Sequence, residues 1–251
     1  MAELSRGPQS DRLIIRRRNS SIEIASGATG TVVRKRYHAR FSALQEFLAY
    51  GDLRALFQNR SGIRLPSSLS IDEDGTCLSV EYIAGPNLSE AFLDRGVQAF
   101  DERRDALVSL FSDARMAQQL FDSDPGNFIL ARDTDELVLV DPVSANSDLP
   151  DFVMVVFLWG MIKSFARGFG PHKIRSFWRC WKSFCMSYRK VTGCRPRDLS
   201  RQMSSYIRLV ISWNLHESQL EPWWKRSVRV TLLVPAYWIA WLAFRYHWVG
   251  R

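Results

Sequence analysis

At Gly85-Pro86 the spacing of apolar residues changes from that of strands to that of helices, so the two sides of this boundary must bury their apolar residues differently. Upstream, residues 12–17, 21–25 and 31–37 are short, rich in Ile and Val, and separated by Arg18-Asn19-Ser20 and Ser26-Gly27-Ala28-Thr29-Gly30. These read as three strands of a meander. Residues 41–51 place Phe41, Leu44, Phe47 and Leu48 at helical spacing, with Gly51 as the expected stop. Residues 65–71 and 77–83 flank Asp72-Glu73-Asp74-Gly75 and predict a hairpin. Downstream, residues 88–93 and 99–119 read as helices, the second with Leu107, Leu110, Phe111 and Ala114 on one face. A break at 122–126 precedes a small hairpin, 128–130 with 137–140, and the chain is mostly helical from Asp151 onward. The expected class is α+β, a small antiparallel sheet with one helix followed by a helical part.

The chemistry concentrates where the helical pattern is interrupted. Leu120-Phe121-Asp122-Ser123-Asp124-Pro125-Gly126-Asn127-Phe128-Ile129-Leu130 is followed by Leu137-Val138-Leu139-Val140-Asp141-Pro142. Phosphoryl transfer needs a carboxylate near the attacking hydroxyl and oxygen ligands that hold magnesium on the nucleotide phosphates. Asp122 and Asn127 on one tight loop, with Asp141 delivered by the next hairpin, supply such a set: Asp122 for the hydroxyl, Asn127 and Asp141 as hard ligands for Mg2+. A loop of Asp, Pro, Gly and Asn is also the composition of an ordinary turn, and Asp124 reads as a turn-stabilising side chain.

These residues resemble the protein-kinase-like superfamily, nearest in look to bacterial lipopolysaccharide-core (Kdo/heptose) kinases and aminoglycoside-phosphotransferase-like small-molecule kinases. Asp122, Pro125 and Asn127 match the family's catalytic loop, and Asp141-Pro142 its metal-binding aspartate. Val32-Val33-Arg34-Lys35 stands where the family has its phosphate-binding lysine, Glu46 where the lysine's partner lies, and Val80-Glu81-Tyr82-Ile83-Ala84-Gly85 resembles the hinge against adenine. The resemblance implies a two-lobed fold with a tail at 1–11, a sheet lobe at 12–85 and a helical lobe at 86–251. It also implies ATP and Mg2+ as cofactors, Asp122 as the catalytic residue, Lys35, Glu46, Glu81 and Ile83 as nucleotide-binding residues, and Asn127 and Asp141 as metal ligands. Asp151 would correspond to a structural carboxylate of the superfamily. The sequence departs from the family in the glycine-free stretch Arg16–Ser21, where a phosphate cover would lie, and in Leu120, where the family often has His.

Charge divides the chain differently. Residues 1–151 hold 17 Lys and Arg against 23 Asp and Glu, whereas residues 152–251 hold 17 against 3 and contain all nine tryptophans. A basic, tryptophan-rich segment attracts anionic lipid headgroups, an anionic glycolipid or a nucleic-acid backbone; its plain alternative is a helical lobe with arginines outside and tryptophans inside. The apolar stretch 230–244 contains Pro235, and as a helix it would span roughly 22 Å against a hydrocarbon core of about 30 Å. A buried or interfacial helix is therefore expected rather than a transmembrane one. Four cysteines show neither disulfide-framework nor zinc spacing, no export signal is apparent, and a cytoplasmic chain, peripheral on the inner face of the cell membrane, is expected. The expected activity is ATP-dependent phosphorylation of a hydroxyl on a membrane-associated glycolipid such as lipopolysaccharide core. The alternatives are a small-molecule alcohol kinase, a protein kinase, or a catalytically silent pseudokinase or binding module. Nucleic acid is not the expected partner.

Overall fold

The computed structural model describes residues 3–6, 13–16, 20–27, 30–38, 40–143, 147–168 and 173–218. Within them the chain is mixed α+β. A six-stranded antiparallel sheet is built from β1 (Glu3–Arg6), β2 (Leu13–Arg16), β3 (Ser20–Gly27), β4 (Gly30–Tyr37), β6 (Leu69–Ile71) and β7 (Cys77–Glu81), in the order β1-β2-β3-β4-β7-β6. It begins earlier than expected, since β1 lies within the segment read as a tail, in register with β2 from Glu3↔Arg16 to Arg6↔Leu13. In β4, Arg34 and Arg36 are exposed while Val33 and Lys35 turn inward, as period-2 alternation requires.

Helix α1 (Arg40–Phe57) covers one face of this sheet, with Ala43 and Tyr50 packed on Leu78 and Val80. Two expectations about it are corrected. The helix runs through Gly51, because Leu53, Leu56 and Phe57 are buried beyond it and their burial outweighs the weak helix propensity of one glycine. The inward seam is Ala43, Glu46, Tyr50, Leu53 and Phe57; Leu44 and Leu48 are exposed at 41% and 53%. The buried polar contacts of Glu46 set that rotation, described below.

The stretch 65–71 is also corrected. Pro66, which cannot donate to a ladder, separates β5 (Ile63–Arg64) from β6, and the two join different sheets. β5 pairs in parallel with β9 (Leu137–Leu139), which pairs antiparallel with β8 (Phe128–Leu130). Helix α2 (Leu88–Arg95) starts on an Asn87/Glu90 capping box. The expected helix 99–119 is two, α3 (Gln98–Asp101) and α4 (Arg104–Met116). The turn between them lets Phe100 pack on Phe92 while Phe111 faces Phe157. Helix α5 (Phe152–Arg167) is buried on nearly all sides from Phe152 to Ile162 and forms the centre of the main core, flanked by α6 (Ile174–Thr192) and α7 (Pro196–Ser218). No helix among the described residues is long and apolar enough to cross a membrane; the stretch 230–244 lies outside them.

Gly85, in the link between β7 and α2, lies so close to the β8–β9 hairpin that a Cβ there would stand 1.9 Å from the Leu130 carbonyl oxygen. The same link is stitched down by Leu130 N–H to Pro86 O and Arg132 N–H to Ala84 O, both 2.9 Å. The six-stranded sheet is thereby held against the hairpin that carries Asn127 and Asp141 at its ends.

Candidate functional site

Lys35 reaches inward from β4. Its Nζ donates to Glu46 Oε1 at 2.5 Å and to the carbonyl of Val140, the residue before Asp141, at 3.0 Å. Glu46 is 1% exposed and also accepts from the Tyr37 hydroxyl. Burial pushes its carboxyl above the ordinary range, and the Lys35 ammonium pulls the other way. One turn later, Tyr50 is fully buried with no hydrogen bond on its hydroxyl, whose ionisation is suppressed first by burial and then by the Glu46 and Asp141 carboxylates.

The other half of the site is the loop before β8. Pro125–Asn127 form a single 3-10 turn, capped by Asp124, which accepts from Gly126 N–H at 2.9 Å. Asp124 N–H donates to Asp122 Oδ1 at 3.0 Å, and Asn127 Nδ2 donates to the Asp122 carbonyl at 3.3 Å. The hairpin register then joins this loop to Asp141, because Val140 N–H donates to Asn127 O at 2.9 Å and Asp122 N–H to Pro142 O at 3.2 Å. The Asp122 carboxyl is pushed up to about 6, mainly by burial and further by the Asp124 and Asp141 carboxylates, against the opposing hydrogen bond from Asp124 N–H.

A cavity of about 430 Å³ opens between the sheet and the hairpin, and Lys35, Glu46, Ile83, Asn127 and Asp141 all line it. Val33, Val80 and Ile129 supply apolar walls beside them. Asp122 is not among its lining residues; it stands behind Asn127 and Asp141, tied to both ends of the hairpin. No group of three or more His, Cys, Asp or Glu among the described residues could hold a metal ion by itself. Asn127 and Asp141 are nevertheless the kind of oxygen pair that suits magnesium, an ion that takes one or two protein ligands and completes its shell with phosphate and water.

Two of the expected carboxylates are engaged by neighbouring side chains. The Glu81 carboxylate is engaged by Arg64, at 2.8 and 2.9 Å, and by Ser67, through its N–H at 2.5 Å and hydroxyl at 2.8 Å. Burial raises this carboxyl, but these partners outweigh it and hold it below its ordinary value, so the Glu81 carboxylate braces β7 while the residue also lines the cavity. Asp151 does not touch the Asp122 loop. It is 2% exposed and accepts from Tyr188 Oη at 2.7 Å and Gln202 Nε2 at 2.6 Å, with Arg115 Nε at 3.1 Å. It therefore joins α4, α6 and α7. The glycine-free stretch 16–21 includes residues 17–19, which lie outside the described residues.

Sequence reasoning missed what seats the loop on α5. Lys163 pairs with Asp124, the Ser123 hydroxyl donates to Val153 O, and Gly160 makes room for Pro125, whose Cδ would stand 2.1 Å from a Cβ at that position. Lys163 had a visible signal, as the first charged residue after the eleven uncharged ones of 152–162. The chain matches no protein-family model and no curated protein.

Proposed function

We propose that the chain is a two-lobed, kinase-like phosphotransferase, with ATP in the 430 Å³ cavity and the hydroxyl acceptor at Asp122. One observation carries the reading. Lys35 is fixed by Glu46 on the helix that follows its strand, and its ammonium is at the same time bonded to the residue before Asp141, in a cavity that Asn127 also lines. A lysine positioned by a glutamate and facing a pair of magnesium-suited oxygen ligands is what phosphate binding requires.

In this reading Lys35 neutralises charge on the nucleotide phosphates, and Ile83 and Val80 flank the base. Asn127 and Asp141 would hold Mg2+, which supplies charge neutralisation on the phosphates during transfer. Asp122, ionised at neutral pH and held by Asp124 N–H, orients the acceptor hydroxyl and takes its proton. The proposed acceptor is a sugar hydroxyl of a membrane-associated glycolipid such as lipopolysaccharide core, at the cytoplasmic face. That choice rests on the resemblance of the Asp122–Asp141 segment to lipopolysaccharide-core kinases.

The test is magnesium-dependent nucleotide binding by calorimetry, then phosphate transfer over a panel of glycolipid, sugar and alcohol acceptors, for the wild type, Lys35→Met, Asp122→Asn and Asp141→Asn. Binding is expected in the wild type and in Asp122→Asn, and should be lost in Lys35→Met and Asp141→Asn, with transfer in the wild type alone. A wild-type chain that binds no nucleotide sinks the proposal.

A further inference from the structure

From residue 152 to residue 197 the chain contains ten Lys or Arg and not one Asp or Glu. Helix α6 lies inside this stretch. Its buried residues, Phe177, Cys180, Trp181, Phe184, Cys185 and Tyr188, form one seam against the core. Arg175, Arg179, Lys182, Met186 and Lys190 follow one another at spacings of three and four residues on the opposite face, and all are exposed. At the rise of an α-helix, Arg175 to Lys190 covers about 22 Å. Among the described residues none of the four cations forms an ion pair, whereas Arg95 on α2 pairs with Glu102 and Arg104 on α4 with Asp101.

A solvated helix face ordinarily mixes both signs, because uncompensated like charges repel along it. Among the described residues no acidic side chain compensates Arg175, Arg179, Lys182 or Lys190. Met186, between Lys182 and Lys190 on the stripe, is 54% exposed, and Ile174 and Val191 at the two ends are 37% and 61% exposed. Cations with an unbranched apolar side chain among them fit a surface that is anionic outside and hydrocarbon beneath, where Lys and Arg lie at headgroup level and the apolar chain dips below. A nucleic-acid backbone would use the cations and leave Met186 in water.

We propose that the Arg175–Arg179–Lys182–Met186–Lys190 face of α6 docks the protein on an anionic lipid bilayer. The inference is independent of the cavity, since the docking face contains none of the nucleotide-site residues and needs no nucleotide. It does give the proposed glycolipid kinase a way to meet its acceptor.

The test is flotation of the full chain, without nucleotide, with vesicles of phosphatidylcholine mixed with phosphatidylglycerol and with vesicles of phosphatidylcholine alone. The wild type should float with the anionic vesicles only, and added salt should release it. The triple variant Arg175→Gln/Arg179→Gln/Lys182→Gln removes exposed charge and no buried contact, and should lose partition by on the order of a hundredfold. Met186→Ser, which alters no charge, should weaken partition without changing its dependence on salt as the triple variant does. Arg132→Gln, an exposed cation on the β8–β9 turn, should float as the wild type. The proposal is overturned if the wild type ignores anionic vesicles, if it binds neutral vesicles equally, if the triple variant floats undiminished, or if a short single-stranded oligonucleotide displaces it while Met186→Ser has no effect.

Discussion

The main-chain amide of Asp122 donates to the carbonyl of Pro142 at 3.2 Å, so the loop that carries one carboxylate is fastened directly to the strand end that carries another. With Val140 N–H on Asn127 O, the hairpin sets Asn127 and Asp141 side by side and leaves Asp122 behind them. Lys35 arrives from the opposite side and bonds to Val140 O, closing the arrangement across the cavity. The segments that carry Asp122, Asn127 and Asp141 are thus set by backbone hydrogen bonds, while Lys35 is set by one backbone carbonyl and the Glu46 carboxylate.

The Lys35–Glu46 pair is buried, with side chains 13% and 2% exposed, and it should be costly to break and cheap to replace. Lys35→Met leaves Glu46 without its cation and is expected to destabilise the fold by about 3 kcal/mol in chemical denaturation. The double variant Lys35→Met/Glu46→Leu should recover most of that stability and none of the nucleotide binding. Recovery of both would remove Lys35 from the site.

Asp122 gives a pH dependence with a definite sign. Its carboxyl titrates at about 6 in the fold against an ordinary value of 3.8, so below about pH 3 it is protonated in both the folded and unfolded states and has no effect. As pH rises through 6 the folded state must ionise a buried group, and the chain loses about 2–3 kcal/mol relative to acid. Asp122→Asn should therefore be more stable than the wild type at pH 7 by that amount and equal to it at pH 3, measured by urea denaturation. Phosphate transfer by the wild type should fall below pH 6 as the base is protonated.

Two glycines should respond oppositely to alanine. Gly51 sits within α1 with nothing inside 4 Å of an added Cβ, and Gly51→Ala should raise stability by about 0.5–1 kcal/mol. Gly85→Ala drives a methyl into the Leu130 carbonyl and should cost about 2–3 kcal/mol, read as a lower Tm, with weaker nucleotide binding as the link lifts from the hairpin. Unchanged Tm in Gly85→Ala would mean that the link is not held as closely as described.

The sequence made β4, the β8–β9 hairpin and the order Lys35, Glu46, Asp122, Asn127, Asp141 legible, because strand alternation and turn composition are local signals. The rotation of α1 was not legible. Its buried seam includes Glu46, a residue that hydrophobic spacing assigns outward, and only the distant Lys35 and Tyr37 draw it in. The brace on the Glu81 carboxylate was not legible either, since Arg64 approaches it across the β5–β6 break and nothing near Glu81 announces it. Lys163 and Gly160, which seat the Asp122 loop, act across a sequence gap that no spacing rule spans.

Asp151 tests whether the helical part can be weakened without touching the site. Its carboxylate gathers Tyr188, Gln202 and Arg115 from three helices, and Cys194 Sγ at 3.3 Å, in a setting where it is almost wholly buried. Asp151→Ala strands these donors and should cost about 3–5 kcal/mol, since an unpartnered buried polar group loses its full desolvation energy. Asp151→Asn keeps an acceptor and should cost less, because one oxygen can still take the Tyr188 hydroxyl. Both variants, assayed well below their melting temperatures, should bind nucleotide as the wild type does, because no bond joins Asp151 to the Asp122–Asn127 loop. A loss of affinity in Asp151→Asn at full folding would show that the carboxylate reaches the site through α5, whose first turn holds Ser123 by way of Val153 O.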